Sequence, residues 1–410
     1  MTRRALLRDG SWTLADQMIS SASNFALGVI VARAVSPAEY GRFAVAFTAY
    51  AIVLGVSRGV ATDPLLVRHS AAAASSRKEA SEASAGTAVM LGVVLGSIVA
   101  AGGAVAAGSV GPLLVAVGLL LPALLLQDAW RFAAFARGCS AIAAVNDATW
   151  LALFLVIIPF VNADGRSWPF VAAWGVTAGV AGVAAMLLLR SWPAPSEARS
   201  WVAANRDLSV RFVGEFILLS GGLQVVLLVV AGRAGYEQAA SLRGASVLLG
   251  PVTIVAVGAA NAVVPYLVRD GSTARLRHLP IVLGLLLALL TLGSGVVAAL
   301  VPDALGRSLL GATWASSKTV IIPLAAAAAG SAFAAGLTTG LRAMGAVKQS
   351  FAATWPTTAL VVVAGSLGAT INGAQGAAVA MIIPFWLGAL LFYRGLTRAL
   401  EDWEAAQALR

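Results

Sequence analysis

The chain has a single cysteine, Cys139, and only two histidines, His69 and His278, in 410 residues. One cysteine excludes an intrachain disulfide, and the histidines stand in separate polar stretches without neighbouring sulfur or carboxylate ligands, so no metal centre is expected. Charge is also scarce: Asp, Glu, Lys and Arg make up 11% of the residues, where a soluble globular protein carries roughly 25%. A soluble fold is therefore excluded. No nucleophile with an adjacent base and no phosphate-cradling glycine loop can be found; Gly102-Gly103 and Gly221-Gly222 lie in apolar runs, where glycine serves close helix packing. The chain is expected not to be an enzyme and to need no cofactor.

What is present in abundance is apolar sequence, 59% of the residues. It comes in runs of about 20 residues, the length that crosses a hydrocarbon core about 30 Å thick as a helix and too long and uniform for the alternating strands of a barrel. The chain thus reads as an all-α integral membrane protein with spans near 12–34, 43–66, 84–107, 111–133, 144–161, 169–189, 210–232, 244–267, 279–301, 318–341, 351–369 and 376–393. The first of these, in "MTRRALLRDGSWTLADQMIS", lacks a small-residue cleavage site and reads as a retained helix, not a signal peptide.

The net charge of +10 raises nucleic acid as a partner, but the basic residues are scattered between the spans rather than gathered in a patch, so no nucleic-acid partner is expected. Their placement is topological. One set of loops holds Arg3, Arg4, Arg8, Arg68, Arg77, Lys78, Arg137, Arg190, Arg199, Arg206, Arg211, Arg269, Arg275, Arg277, Arg342, Lys348, Arg394, Arg398 and Arg410; the opposite set holds Arg33, Arg42, Arg166, Arg233, Arg243, Arg307 and Lys318. By the positive-inside rule, both termini face the cytoplasm of a multi-pass cell-membrane protein. The two long inward connections, "RHSAAAASSRKEASE" and "RSWPAPSEARSWVAANRD", are rich in Ser, Ala, Pro and charge and read as flexible linkers.

The chain repeats itself. "PLLVRHS" (Pro64 to Ser70) returns as "PYLVRDG" (Pro265 to Gly271), Asn24 and Arg33 face Gln224 and Arg233 at a similar offset, and "RGCSAIAAVNDATW" (Arg137 to Trp150) faces "RAMGAVKQSFAATW" (Arg342 to Trp355). Two lobes follow, 1–205 and 206–410, each of six spans. An even number of spans per repeat places them in the same orientation, an arrangement known in transporters.

Polar residues inside the spans mark the candidate site. On the first span Thr13, Asp16, Gln17, Ser20, Ser21, Ser23 and Asn24 fall in one sector about 160° wide, which is either the wall of a wet cavity or a small-residue packing seam. Arg58 and Arg131 lie within spans. Asp128 stands three residues before Arg131, the spacing of an intrahelical pair, as Arg211 and Glu215 are at four. Arg58 has only Asp63, five residues on, and is expected to await a ligand. Gln224 and Asn261 are the polar residues best placed for a cavity in the second half.

The segment "SNFALGVIVARAVSPAEYGRFAVAFTAYAIVLG", whose Ser36-Pro37-Ala38-Glu39 is a capping box with proline at the first helical position, resembles the first two helices of the polysaccharide and lipid-linked oligosaccharide flippases of the multidrug/oligosaccharidyl-lipid/polysaccharide exporter superfamily. The likeness extends through "LQDAWRFAAFARG". It implies a V-shaped pair of six-helix lobes around a cationic central cavity that moves polyprenyl-pyrophosphate-linked sugars from the inner to the outer leaflet by alternating access, in concert with envelope polysaccharide polymerases or glycosyltransferases. Arginines there would meet the pyrophosphate. Where lipid II flippases of the superfamily carry an Arg-Asp pair in the first helix, this chain has Asn24 and Phe25. Other readings are an ion-coupled small-molecule exporter of the same fold, which needs acidic residues in its cavity, a membrane glycosyltransferase or ligase, which usually carries a large outer loop not found here, and a non-transporting scaffold for envelope assembly.

Overall fold

Helices α1 (Arg3–Ala34), α2 (Pro37–His69), α3 (Ala74–Val105), α4 (Val110–Ala136), α5 (Ser140–Ile157), α6 (Trp168–Leu189), α7 (Arg206–Ala234), α8 (Tyr236–Asp270), α9 (Thr273–Leu300) and α10 (Trp314–Ala343) are followed by α11 (347–371) and α12 (374–408). The structure, a computed structural model, describes residues 3–106, 108 and 110–408; some side chains, including those of Asn261 and Pro265, lie outside the described set. Among the described residues there is no strand, and 11 helical stretches are long and apolar enough to cross a membrane. The last of them breaks at Asn372 (φ −146°, ψ 43°) and Gly373 (φ 52°, ψ −136°). Gly373 takes a left-handed angle that suits glycine, and the Gln238 Oε1 accepts from the Ala374 N–H at 3.0 Å, capping the new helix. With α11 and α12 counted apart, every expected span falls on one of twelve helices to within a few residues.

The chain divides into two compact units, 1–217 and 218–410. The division falls within α7 rather than at 205, and local chemistry explains it. The seventh span is interrupted by a π-helical turn, Ile217–Gly221, and its first half packs on the first unit: a Cβ at Gly59 would come within 2.9 Å of the Val213 backbone nitrogen, so only glycine admits that approach.

Helix α2 shows the clearest sequence cause of a backbone irregularity. Ser36 caps its start, the Oγ accepting from the Glu39 N–H at 3.3 Å. The reciprocal half of the expected capping box is replaced: the Glu39 carboxylate reaches across to the start of α6, accepting from the Ser167 N–H (3.0 Å) and hydroxyl (2.7 Å), and takes Arg42 at 3.0 Å. Further along, residues Arg58–Thr62 form a π turn. Pro64 has no N–H to offer the carbonyl four residues back, which frees Val60. That carbonyl accepts instead from Trp201 Nε1 (3.2 Å) and the Ser209 hydroxyl (3.5 Å), while Ala61 accepts from the Ser84 hydroxyl at 2.9 Å.

The same contacts overturn the expectation of flexible linkers. Residues from Ala74 onward already belong to α3. The midpoint connection is docked: the Ala194 N–H donates to the Glu82 carbonyl at 2.9 Å, Arg137 holds the Leu189 carbonyl (3.1 Å) and the Ser191 hydroxyl (2.8 Å), and the short helix Ala198–Ala204 buries Trp201. Arg68 clamps its far end through both oxygens of Asp207, at 2.8 and 2.6 Å.

Close crossings by glycine set the remaining packing of the first unit. Helices α3 and α4 meet at Gly92 on Pro122, Gly96 on Gly118 and Gly103 on Gly111, each a place where an added Cβ would strike the facing backbone. An aromatic group, Tyr50, Phe47, Trp150 and Trp174, joins α2, α5 and α6, with Trp150 Nε1 donating to the Trp174 carbonyl at 2.8 Å. In the second unit Gly336 lies against Gly284, and Gly388 against Thr357. A core of Leu267, Leu337, Leu341, Phe392 and Leu396 ties α8, α10 and α12 together.

Candidate functional site

Within the first unit, four helices bring their charged side chains to one point. Arg58, on the π turn of α2, grips Asp128 of α4 with two bonds, Nε to Oδ2 at 2.9 Å and Nη2 to Oδ1 at 2.6 Å. One turn along α4, Arg131 donates from Nε (2.8 Å) and Nη2 (2.6 Å) to Asp16 Oδ2 on α1, and its Nε lies 3.3 Å from Asp147 Oδ2 on α5. Gln127 completes the group, its Nε2 donating to Asp147 Oδ1 at 2.6 Å, while its own carbonyl accepts from Asn146 Nδ2 at 3.1 Å. Phe132 lies beneath both guanidinium groups, 5.2 Å from Arg58 and 6.0 Å from Arg131. Cations on aromatic faces gain where water is excluded.

Charges in a low-dielectric interior persist only when paired, since desolvation of each ion costs several kcal/mol. Here two guanidinium groups face three carboxylates, Asp16, Asp128 and Asp147. The pairing is unequal. The Arg131 side chain is 6% accessible and Asp16 and Asp147 are fully enclosed, whereas the Arg58 side chain is 34% accessible. Arg58 Nη1 makes no hydrogen bond to the protein among the described residues, so this guanidinium presents one open edge.

Several expectations change in detail. Arg58 does not stand without a partner, because the π turn aims it at Asp128 rather than at Asp63. Asp128 and Arg131 are 3.8 Å apart, a secondary contact beside the pairs each makes with another helix. Arg211 and Glu215, both exposed, form no ion pair among the described residues. The polar stripe of α1 divides along its length: Asp16 and the Thr13 hydroxyl, 3.2 Å from the Ser140 hydroxyl, face the packed side against α5. Gln17 is exposed, with its Oε1 3.4 Å from Arg131. Ser20 and Asn24 are half-buried, and Asn24 bonds the Ser20 carbonyl of its own helix at 3.0 Å, so neither joins the charge group. Gln224 is half-buried in the second unit, and the side chain of Asn261 lies outside the described residues.

Asp147, Gln127 and Asn146 are the residues that the sequence reading missed. The signal was available: an Asn-Asp pair inside an apolar run is costly and calls for a partner. Starting that span near 144 put Asp147 at its edge, whereas α5 begins at Ser140 and carries Asp147 into the interior.

No family model matches the chain, and no curated relative matches it. Solved structures do. The lipid II flippase MurJ in an inward closed conformation superposes with a TM-score of 0.73 at 11% identity, over 95% of this chain and 90% of that one. An inward-facing multidrug resistance MATE family transporter of the MOP superfamily gives 0.70 at 14% identity, over 97% and 99%. An outward-facing structure described in the same terms gives 0.62 at 14%, over 98% and 96%. The protein is a multi-pass, all-helical membrane protein with the fold shared by MurJ and the MATE transporters of the MOP superfamily.

Proposed function

We propose that the protein is a membrane transporter that moves a polyprenyl-pyrophosphate-linked oligosaccharide from the inner to the outer leaflet, where envelope polymerases or glycosyltransferases consume it. The observation that carries this reading is the open edge of Arg58. A guanidinium held rigid by one carboxylate and stacked on Phe132 keeps donors free for a phosphate oxygen, and its planar fork suits that bidentate contact. Both termini are placed in the cytoplasm on the basic-loop asymmetry.

A second reading, an ion-coupled small-molecule exporter, is favoured by the excess carboxylate in the same group. The two separate in proteoliposomes. Translocation of a short-chain polyprenyl-pyrophosphate sugar is expected, and Arg58→Ala should slow it about 10- to 100-fold, the worth of one hydrogen bond to a charged group. Arg58→Lys should retain part of the rate. Melting of Arg58→Ala should stay near that of the parent, because Arg131 Nη1 is already 3.8 Å from Asp128 Oδ1. Gradient-driven uptake of a cationic dye, lost in Asp147→Asn and without lipid translocation, would establish the exporter instead.

Orientation has a simple test in the native chain. Cys139, exposed beside Arg137, is the only thiol. A membrane-impermeant maleimide should label it after permeabilisation but not in intact cells; labelling of intact cells would reverse the topology.

A further inference from the structure

The basic end of the α11–α12 hairpin carries an arrangement that transport does not use. A cavity of about 500 Å³ opens between the first turn of α11 and the last turns of α12, with Lys348, Arg394 and Arg398 on its wall together with Gln349, Glu401 and Asp402. Among the described residues none of the three cations forms a salt bridge, although Glu401 and Asp402 follow Arg398 at helical spacing. Asp402 instead accepts from Gln349 Nε2 at 3.4 Å. Nearby arginines behave differently: Arg277 takes Glu404 at 2.8 Å and Arg275 takes the Tyr266 hydroxyl at 2.6 Å. The N-terminal end of α11, with its partial positive charge, adds to the field at Lys348.

The order of chemistry along α12 is the informative feature. Leu387 and Leu390 are exposed on the apolar part of the helix, as are Phe351 and Trp355 on α11. At 1.5 Å per residue, Trp355 lies about 10 Å deeper than Lys348. Next along α12 come Arg394 and Arg398, one turn apart on one face, and beyond them Glu401 and Asp402. Apolar strip, cationic rim and acidic rim therefore succeed one another from the hydrocarbon outward. A phospholipid whose headgroup carries an amine beyond its phosphate has the complementary order: acyl chains, phosphate, ammonium.

We infer that this cavity binds the headgroup of an aminophospholipid of the phosphatidylethanolamine type, its phosphate on Lys348, Arg394 and Arg398 and its ammonium on Glu401 and Asp402. A free phosphate would leave the apolar strip and the two carboxylates without a role. A phospholipid with an uncharged polyol headgroup would bring its phosphate without a cation for the acidic rim.

The test is lipid retention by the full-length protein in detergent, read by native mass spectrometry after exchange into mixed micelles of phosphatidylethanolamine and phosphatidylglycerol. The parent should retain phosphatidylethanolamine in preference. Arg394→Gln/Arg398→Gln should lower retention of both lipids about 30-fold, from roughly 1 kcal/mol per basic residue near a charged lipid surface. Glu401→Gln/Asp402→Asn should keep lipid but lose the preference. Both pairs are exposed, so the melting temperature should not move. Equal or better retention of phosphatidylglycerol by the parent would overturn the headgroup assignment, and displacement of lipid by millimolar inorganic phosphate would make the site one for free phosphate. Retention unaffected by Arg394→Gln/Arg398→Gln would remove the site.

Discussion

Arg131→Ala is expected to deplete the protein from the membrane fraction and to lower the melting temperature of what remains by about 10 °C, the equivalent of 3–5 kcal/mol for breaking a buried pair. The reason is the company Arg131 keeps. Its guanidinium bonds Asp16 and lies against Asp147, both fully enclosed, with Asp128 at 3.8 Å. Removing it strands two carboxylates in a low-dielectric interior, with only Arg58 left in the group and already engaged. Arg131→Lys should recover part of the loss, because an ammonium keeps the charge but not the two bonds to one oxygen. Asp147→Asn should act in the opposite sense: it leaves two carboxylates for two cations, and combined with Arg131→Ala it should restore some of the melting temperature. A single Arg131→Ala variant that melts like the parent would show that the charge group does not hold the first unit together.

Gly118→Val is expected to be the most damaging apolar change. A Cβ there would meet the Gly96 carbonyl, the Ala100 nitrogen at 2.7 Å and the Ala100 Cβ at 2.8 Å. Backbone atoms cannot step aside as a side-chain tip can, so α3 and α4 must separate, and the helix contact that glycine permits is lost. The cost should be about 3 kcal/mol or more, at the upper end for overpacking. Gly102→Val on the outer side of α3 is the control, since nothing lies within 4 Å of a Cβ there. Monodispersity in size-exclusion chromatography should fail for Gly118→Val and persist for Gly102→Val; equal behaviour would mean that this crossing tolerates widening.

The spans were legible because each is a local property: about twenty apolar residues must be helical in a bilayer whatever surrounds them. Pairings are not local. Arg58 looked solitary because its nearest acid in sequence, Asp63, sits on the same helix at a poor spacing, while its partner Asp128 is 70 positions away. The midpoint connection read as flexible because composition reports on what a segment could do alone. It does not report that Val60, deprived of a donor by Pro64, offers a carbonyl that Trp201 and Ser209 can fill. Pro64 was itself in plain view at the opening of the repeated "PLLVRHS". A proline late in a span could have been taken as notice that the carbonyl four residues earlier needed a donor from elsewhere.

That carbonyl also imposes an order of events during synthesis. Val60 and Ser209 are 149 positions apart, so at about 5–20 residues per second the bond that completes α2 cannot form until roughly 7–30 s after Val60 is made. Arg58, on the same turn, is meanwhile in the nascent chain without Asp128 for about half that interval. Four further spans are polymerised, and a fifth has just begun, before the second helix reaches its final hydrogen-bonded form, and the segment that releases the first unit from this unfinished state is the connection leading out of it.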